Sequence, residues 1–389
     1  MKRTFVSTNK QSQRPVYLDC NATAPIEPAV RAAVIRWYEE ELGNAGSRTH
    51  EYGANAKKAV QAARAQVAEV AKASADEVVF TSGATESNNI AILGLAPFGE
   101  RENRRHIVST AIEHKAVLEP LERLAARGFE VTLVPPERSG AVSAGAIASA
   151  VRSNTLLVSV MHANNETGAL QPIAEIAKRL TGNECYFHVD AAQGFGKDLG
   201  PLRDSRIDLI SVSGHKIYGP LGIGALIARR RGFKRPPLTP LVVGGGQERG
   251  LRAGTLPVPL IIGFGLAAEC AQRDAAARHT RCHEVKLRAM EALTPLGIRL
   301  HADPAITMAH VLNFSVPGID SEALMVSLKD LIACSNGSAC TSHSYEPSHV
   351  LKAMQLADEE IAGAVRLSWS HLTPDVDWDA LAARMAQLI

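Results

Sequence analysis

Tyr186-Phe187-His188-Val189-Asp190, then Leu209-Ile210-Ser211-Val212 followed by Ser213-Gly214-His215-Lys216, decide the fold. Both apolar runs are short and read as buried β-strands. Asp190 closes the first, and Lys216 lies just past the second. Ligands of open α/β sheets bind outside the carboxyl ends of the strands. The two side chains are therefore expected to face one crevice. Outward from this pair, further strand-like runs occur at Val78-Val79-Phe80, His106-Ile107-Val108-Ser109, Glu130-Val131-Thr132-Leu133, Leu156 to Val160 and Gly224-Ala225-Leu226-Ile227. Helical stretches separate most of them. That alternation predicts an α/β fold with a mostly parallel seven-stranded sheet covered by helices.

Before the sheet, Val16-Tyr17-Leu18-Asp19 reads as a short strand. Pro28 to Leu42 reads as a helix, with Val30, Val34, Trp37 and Tyr38 at a helical apolar period, and Asn55 to Ala73 as an alanine-rich second helix. Leu260 to Leu293 reads as a long helical region that could join two domains. Beyond it, Val311-Leu312-Asn313-Phe314 and Ile361 to Trp369 suggest a smaller α+β domain. The expected division is an irregular segment 1–15, a large domain 16–262 whose first dozen residues pack with the small domain, and a small domain 263–389.

With 389 residues the chain can bury a large core. A net charge of +2 argues against a dedicated polyanion binder, so no direct nucleic-acid contact is expected. The local run Arg229-Arg230-Arg231, with Lys234-Arg235, reads as a solvated loop between strands. The cysteines, Cys20, Cys185, Cys270, Cys282, Cys334 and Cys340, form no dense disulfide framework and no zinc-finger spacing. With no secretory signal ahead of them, a reducing cytoplasm is the expected compartment, and no metal is expected. The apolar run Leu256 to Ala268 contains two prolines and is too short to span a bilayer.

A lysine and an aspartate so placed suit pyridoxal phosphate. The lysine amine forms a Schiff base with an aldehyde, and a carboxylate keeps a pyridine nitrogen protonated. Alone, each has a bland reading: most lysines are surface charges, and Asp after a strand often caps a turn. Phe80-Thr81-Ser82-Gly83-Ala84-Thr85-Glu86-Ser87-Asn88-Asn89 adds a strand, a small-residue turn and a helix start. Helix N-termini offer free N–H groups and a positive dipole end to a phosphate. Ser or Thr there is also an ordinary N-cap, so this signal too is weak by itself.

Together the motifs are specific. Ser82 to Asn89, Glu113-His114-Lys115-Ala116-Val117, Asn164-Asn165-Glu166, the Asp190 segment, Ser213 to Pro220, Arg252-Ala253-Gly254-Thr255 and Ser338-Ala339-Cys340 resemble those of cysteine desulfurases, in the expected order from about Val16 to Arg366. The resemblance implies a fold-type-I, class-V aminotransferase-like enzyme that uses pyridoxal phosphate. It makes Lys216 the Schiff-base lysine, Asp190 the partner of the ring nitrogen, and His114 the residue that stacks on the ring and, with Lys216, a candidate to take the substrate α-proton. Asn165 and Gln193 would bond the ring hydroxyl region; Ala84, Thr85, Ser213 and His215 would hold the phosphate. Thr255 would reach the phosphate of a neighbouring subunit, implying a homodimer with shared active sites. Arg366 resembles the arginine that grips the substrate carboxylate, which a planar guanidinium fits by two parallel bonds.

Cys340 lies in Cys334-Ser335-Asn336-Gly337-Ser338-Ala339-Cys340-Thr341-Ser342-His343, a run of small polar residues expected to be an exposed loop. The resemblance makes it the thiolate that takes sulfur from L-cysteine, leaving L-alanine and a persulfide for an acceptor protein. His343 is a candidate to favour the thiolate. Cys334 reads as a packed strand-end thiol, with a resting disulfide or sulfur relay as the alternatives. Cys20 stands where the family more often has an aromatic residue. The rival readings are a selenocysteine lyase, another fold-type-I aminotransferase, and a sulfur-delivery module without catalysis. For the acceptor, the long loop suggests the branch serving iron–sulfur cluster assembly. That branch's extended carboxyl tail is not expected after Leu381-Ala382-Ala383-Arg384, however, and Asp19-Cys20-Asn21 with Cys334-Ser335-Asn336-Gly337 is more like the desulfurases of DNA phosphorothioation.

Overall fold

The computed structural model describes residues 14–336 and 347–389. Its strands are β1 (Val16–Tyr17), β2 (Val78–Thr81), β3 (His106–Thr110), β4 (Glu130–Val134), β5 (Thr155–Met161), β6 (Tyr186–Asp190), β7 (Leu209–Ser213), β8 (Gly224–Ala228), β9 (Arg299–Leu300), β10 (Val311–Ser315), β11 (Ile332–Ala333) and β12 (Val365–Ser368). The helices are α1 (Pro28–Glu40), α2 (Glu51–Val70), α3 (Ala84–Arg101), α4 (Lys115–Ala125), α5 (Ala144–Ala150), α6 (Ile173–Arg179), α7 (Val258–Arg273), α8 (Ala275–Leu293), α9 (Ser321–Leu328), α10 (His349–Ala353), α11 (Asp358–Ala362) and α12 (Trp378–Ala386).

The main sheet has the order β2-β8-β7-β6-β5-β3-β4. β8 runs antiparallel to both its neighbours, and the remaining pairs are parallel. Every residue of β5 and β7 is buried, as expected of strands covered on both faces. Helices close those faces. Phe80, Phe187, Phe195 and Phe264 are fully buried in the larger core. The seven strand runs of the sequence analysis coincide with β2 to β8.

A second core gathers Leu18, Leu312, Phe314, Leu367, Trp369, Trp378 and Met385 around the antiparallel sheet β12-β10-β9. β1 pairs in parallel with β11, which carries the N-terminal strand to this second core. Phe264, Ala267 and Ala268 of α7, and Val350 and Leu351 of α10, belong to the larger core.

Three readings need correction. The helical region 260–293 is two helices, broken at Asp274, which ends α7 and begins α8 with φ −101° and ψ 8°. Tyr38 is exposed rather than part of the buried stripe of α1, while Val34 and Trp37 are half-buried against the core. The arginine run is an exposed turn after β8, as expected, except at its first residue. Arg229 is buried and donates to the carbonyls of Asp204, Ile207 and Leu202, and to that of Ala71. Arg231 holds Asp208 through Nε at 2.6 Å and Nη2 at 2.8 Å. These guanidiniums staple the ends of strands and helices by satisfying backbone acceptors that burial would leave costly.

Candidate active site

A cavity of about 440 Å³ opens at the carboxyl ends of β2, β5, β6 and β7. Ala84, Thr85, His114, Asn165, Asp190, Gln193, Ser213, His215, Lys216 and Arg366 all line it. The main sheet brings Ala84 to Lys216 together, and β12 of the antiparallel sheet adds Arg366. Thr255 does not line the cavity; it is exposed on the loop ahead of α7.

One wall is the turn from β2 into α3. Gly83, at φ +156°, lets the chain turn there, and a side-chain carbon at Gly224 would lie 2.6 Å from the Gly83 Cα. The turn therefore packs directly on β8, and the first N–H groups of α3 face the cavity with Thr85 beside them. On the floor, Asp190 ends β6. Its Oδ2 accepts from Asn88 Nδ2 at 2.8 Å and its Oδ1 from the Ala192 N–H at 2.9 Å. Asn88 was not singled out from sequence. Its signal is spacing: four residues after Ala84, it occupies the next turn on the same helix face.

Lys216 follows β7 in the short turn Gly214–Lys216, and its Nζ donates to the carbonyls of Asn21 and, at 2.8 Å, Ala22. His215 Nδ1 contacts Thr23 Oγ1 at 3.0 Å; burial, then Lys216 and Lys197, pull its pKa down to about 4. His114 caps α4, and its Nδ1 accepts from the Ala116 N–H at 3.0 Å. Burial lowers its pKa, with Asp190 acting the other way. At neutral pH its ring is therefore uncharged, with the proton on Nε2, because the Nδ1 lone pair is engaged.

Arg366 enters from β12. It is buried, donates through Nη1 to the Asn165 carbonyl at 2.9 Å and through Nη2 to Asp19 Oδ1 at 2.5 Å, and leaves Nε without a partner. Asn21 joins the two units: its N–H donates to Ser368 Oγ at 2.9 Å and its Nδ2 to the Asn165 carbonyl at 3.0 Å. It lines the cavity and was missed from sequence.

Cys340 and His343 lie outside the described residues. The chain on either side of them is tied to the site. Ser335 exchanges backbone hydrogen bonds with Arg366. Ser348 Oγ donates to Glu166 Oε2 at 2.5 Å, and His349 Nε2 to the Glu113 carbonyl at 2.9 Å. Glu113 and Glu166 are both buried, and burial raises both carboxyls, Glu113 to about 8. Cys334 is half-buried beside the smaller core, with its thiol pushed up to about 12 by burial, as a packed thiol should be. Cys20 is buried and its thiol is raised to about 11 for the same reason.

The residues fit pyridoxal phosphate. The cavity joins a helix N-terminus for the phosphate, the Asp190 carboxylate and the Lys216 amine. Among the described residues, buried Asn21 Oδ1, Asn88 Oδ1 and Gln193 Oε1 lack partners, as expected of groups arranged around a polar ligand.

Comparison with known proteins agrees. The fold and the cavity define a fold-type-I pyridoxal-phosphate enzyme. The aminotransferase class-V family model matches residues 16–381. The chain is 42% identical to the cysteine desulfurase of Homo sapiens over 377 residues, covering 96% of this chain and 81% of that protein. The solved structure of DndA from Streptomyces lividans matches with a TM-score of 0.81 and 49% identity, covering 91% of this chain and 99% of that one. A structure of SspA in complex with cysteine matches with a TM-score of 0.78 and 35% identity, over 92% and 100% of the two chains. The chain belongs to the class-V aminotransferase family and, within it, to the cysteine desulfurases, enzymes dependent on pyridoxal phosphate.

Proposed function

We propose that the chain converts L-cysteine to L-alanine and carries the sulfur as a persulfide on Cys340 for delivery to an acceptor protein. The convergence of Lys216, Asp190, His114 and Arg366 on one cavity carries this reading. Bound there, pyridoxal phosphate supplies an electron sink that loosens bonds at the substrate α-carbon. Ala84, Thr85, Ser213 and His215 hold its phosphate, and Asp190, fixed by Asn88 and Ala192, holds the proton on its ring nitrogen. Asn165 and Gln193 bond near its hydroxyl.

Lys216 anchors the cofactor and, once displaced by substrate, takes the α-proton at Nζ. His114 is not that base. Its Nδ1 lone pair is engaged by the Ala116 N–H, so it offers a ring face and an Nε2 proton. Arg366, which lines the cavity from β12, holds the substrate carboxylate. The Cys340 thiolate then attacks the substrate sulfur. An S–S bond forms, the carbon–sulfur bond breaks, and the carbon takes a proton to leave as alanine. Cys340→Ala should retain the yellow cofactor band and form no persulfide; sulfide release at the wild-type rate from that variant overturns the assignment.

The enzyme is proposed to act as a cytoplasmic homodimer, with Thr255 reaching the partner's phosphate. Exposed Ile35, Tyr38, Leu42, Tyr52, Val242 and Val243 support an interface, since large apolar groups left in water favour association. Among the described residues no helix is long and apolar enough to cross a membrane. For the acceptor, the likeness to DndA supports sulfur supply for DNA phosphorothioation over iron–sulfur assembly. Capture of persulfide acceptors with the loaded enzyme tests this choice.

A further inference from the structure

A second cavity, of about 160 Å³, lies between the turn that follows β6, the first half of α8 and the segment leading into β10. Tyr218, two residues past Lys216, forms one wall. Two cations sit on that ring: Lys197 Nζ is 6.0 Å and the Arg278 guanidinium carbon 5.2 Å from its centroid.

Both cations line the cavity with hydrogen-bonding capacity to spare. Arg278 is 9% exposed; its Nη2 donates to Glu27 Oε2 at 2.8 Å and lies 3.6 Å from Asp274 Oδ2, while its Nη1 is buried without an acceptor among the described residues. Lys197 Nζ makes one hydrogen bond among the described residues, to His310 Nε2 at 3.1 Å, which leaves two N–H groups. His310 is buried and neutral, since burial and then Lys197 lower its pKa, so it adds no charge of its own. Burial pulls Lys197 down to about 8, which leaves it mostly cationic at neutral pH. The carboxylate lining the cavity, Asp198, is bonded to His162 Nε2 at 2.9 Å. The Lys197 donors are thus positive and half-enclosed, the Arg278 Nη1 donor is fully enclosed, and a buried guanidinium N–H without an acceptor is costly.

We infer that this cavity is an anion site separate from the cofactor cavity, taking a small tetrahedral oxyanion of sulfate size between Lys197 and Arg278 against the Tyr218 ring. Charge-assisted bonds from the two cations would satisfy the donors and offset their mutual repulsion. The occupant would lie against the residue two places along the chain from Lys216, so its binding has a short path to the active-site turn.

The test uses the cofactor-loaded enzyme, in which the phosphate cradle is filled. Crystals soaked in sodium selenate should show an anomalous selenium peak between Lys197 and Arg278. Calorimetric titration with selenate should show binding about tenfold weaker in Lys197→Gln. No peak there in the wild-type enzyme, or equal affinity in the variant, overturns the inference. Neither outcome bears on the desulfurase reading, which rests on the other cavity.

Discussion

The two halves of the active site are built differently. On the sheet side, the proposed cofactor residues follow strands directly, and two of them are held in part by near neighbours: Asp190 by Ala192, with Asn88 from α3, and His114 by Ala116. On the small-sheet side, Arg366 is held by residues far away in sequence, Asp19 and Asn165, and it keeps one donor free. A preorganised holder suits a cofactor that stays, and a less saturated one suits a substrate that comes and goes.

Substitutions on the two sides should therefore fail in different ways. The largest effect belongs to the sheet side: Lys216→Ala should lower turnover by about 10³-fold or more and abolish the visible lysine-linked cofactor band. A retained band would break the assignment. On the other side, Arg366→Ala should lower kcat/KM for cysteine by about 100-fold, mostly through KM, since a charged carboxylate loses its paired donors. Its cofactor band should not change; a lost band would mean that the two halves are not separable.

The sheet side also carries a pH signature. His188 lies beneath Asp190 on β6, between Ser159 Oγ and Ser211 Oγ, and burial depresses its pKa from 6.5 to about 4. The unfolded chain therefore binds a proton that the folded chain refuses, so stability falls as pH drops from 6.5 through about 4. Between pH 8 and pH 5 this amounts to about 2 kcal/mol. Denaturant titrations at the two pH values should show that loss, and His188→Gln should show a smaller one. The smallest effect is expected from Thr255→Ala. Loss of one hydrogen bond of about 1 kcal/mol should weaken cofactor retention about fivefold in the dimer, read by equilibrium dialysis. An unchanged value would remove Thr255 from the partner's phosphate site.

Much of this arrangement was legible. Strands β2 to β8 were legible because buried parallel strands are short apolar runs between helices, and Asp190 and Lys216 because they follow such runs. Asn88 was hidden because its role depends on a helix face meeting a strand end. Asn21 was hidden because β1 crosses to the second sheet before the chain returns to the cavity. Arg229 misled because a basic run looks solvated until its carbonyl partners, Ala71 and three within 202–207, are in view.

What the sequence determined by itself was chemistry that is local: the lysine turn, the phosphate turn, the carboxylate at a strand end, and the small-residue setting of Cys340. These survive in one dimension because each depends on a few adjacent residues. Only the tertiary structure decided which atoms are already engaged. The His114 lone pair is spent on Ala116, Arg366 is shared with Asp19, and Arg278 has a donor to spare. The first of these is a local cap contact, whereas the arginines are settled by contacts across hundreds of residues, and that is what separates a structural arginine from a binding one.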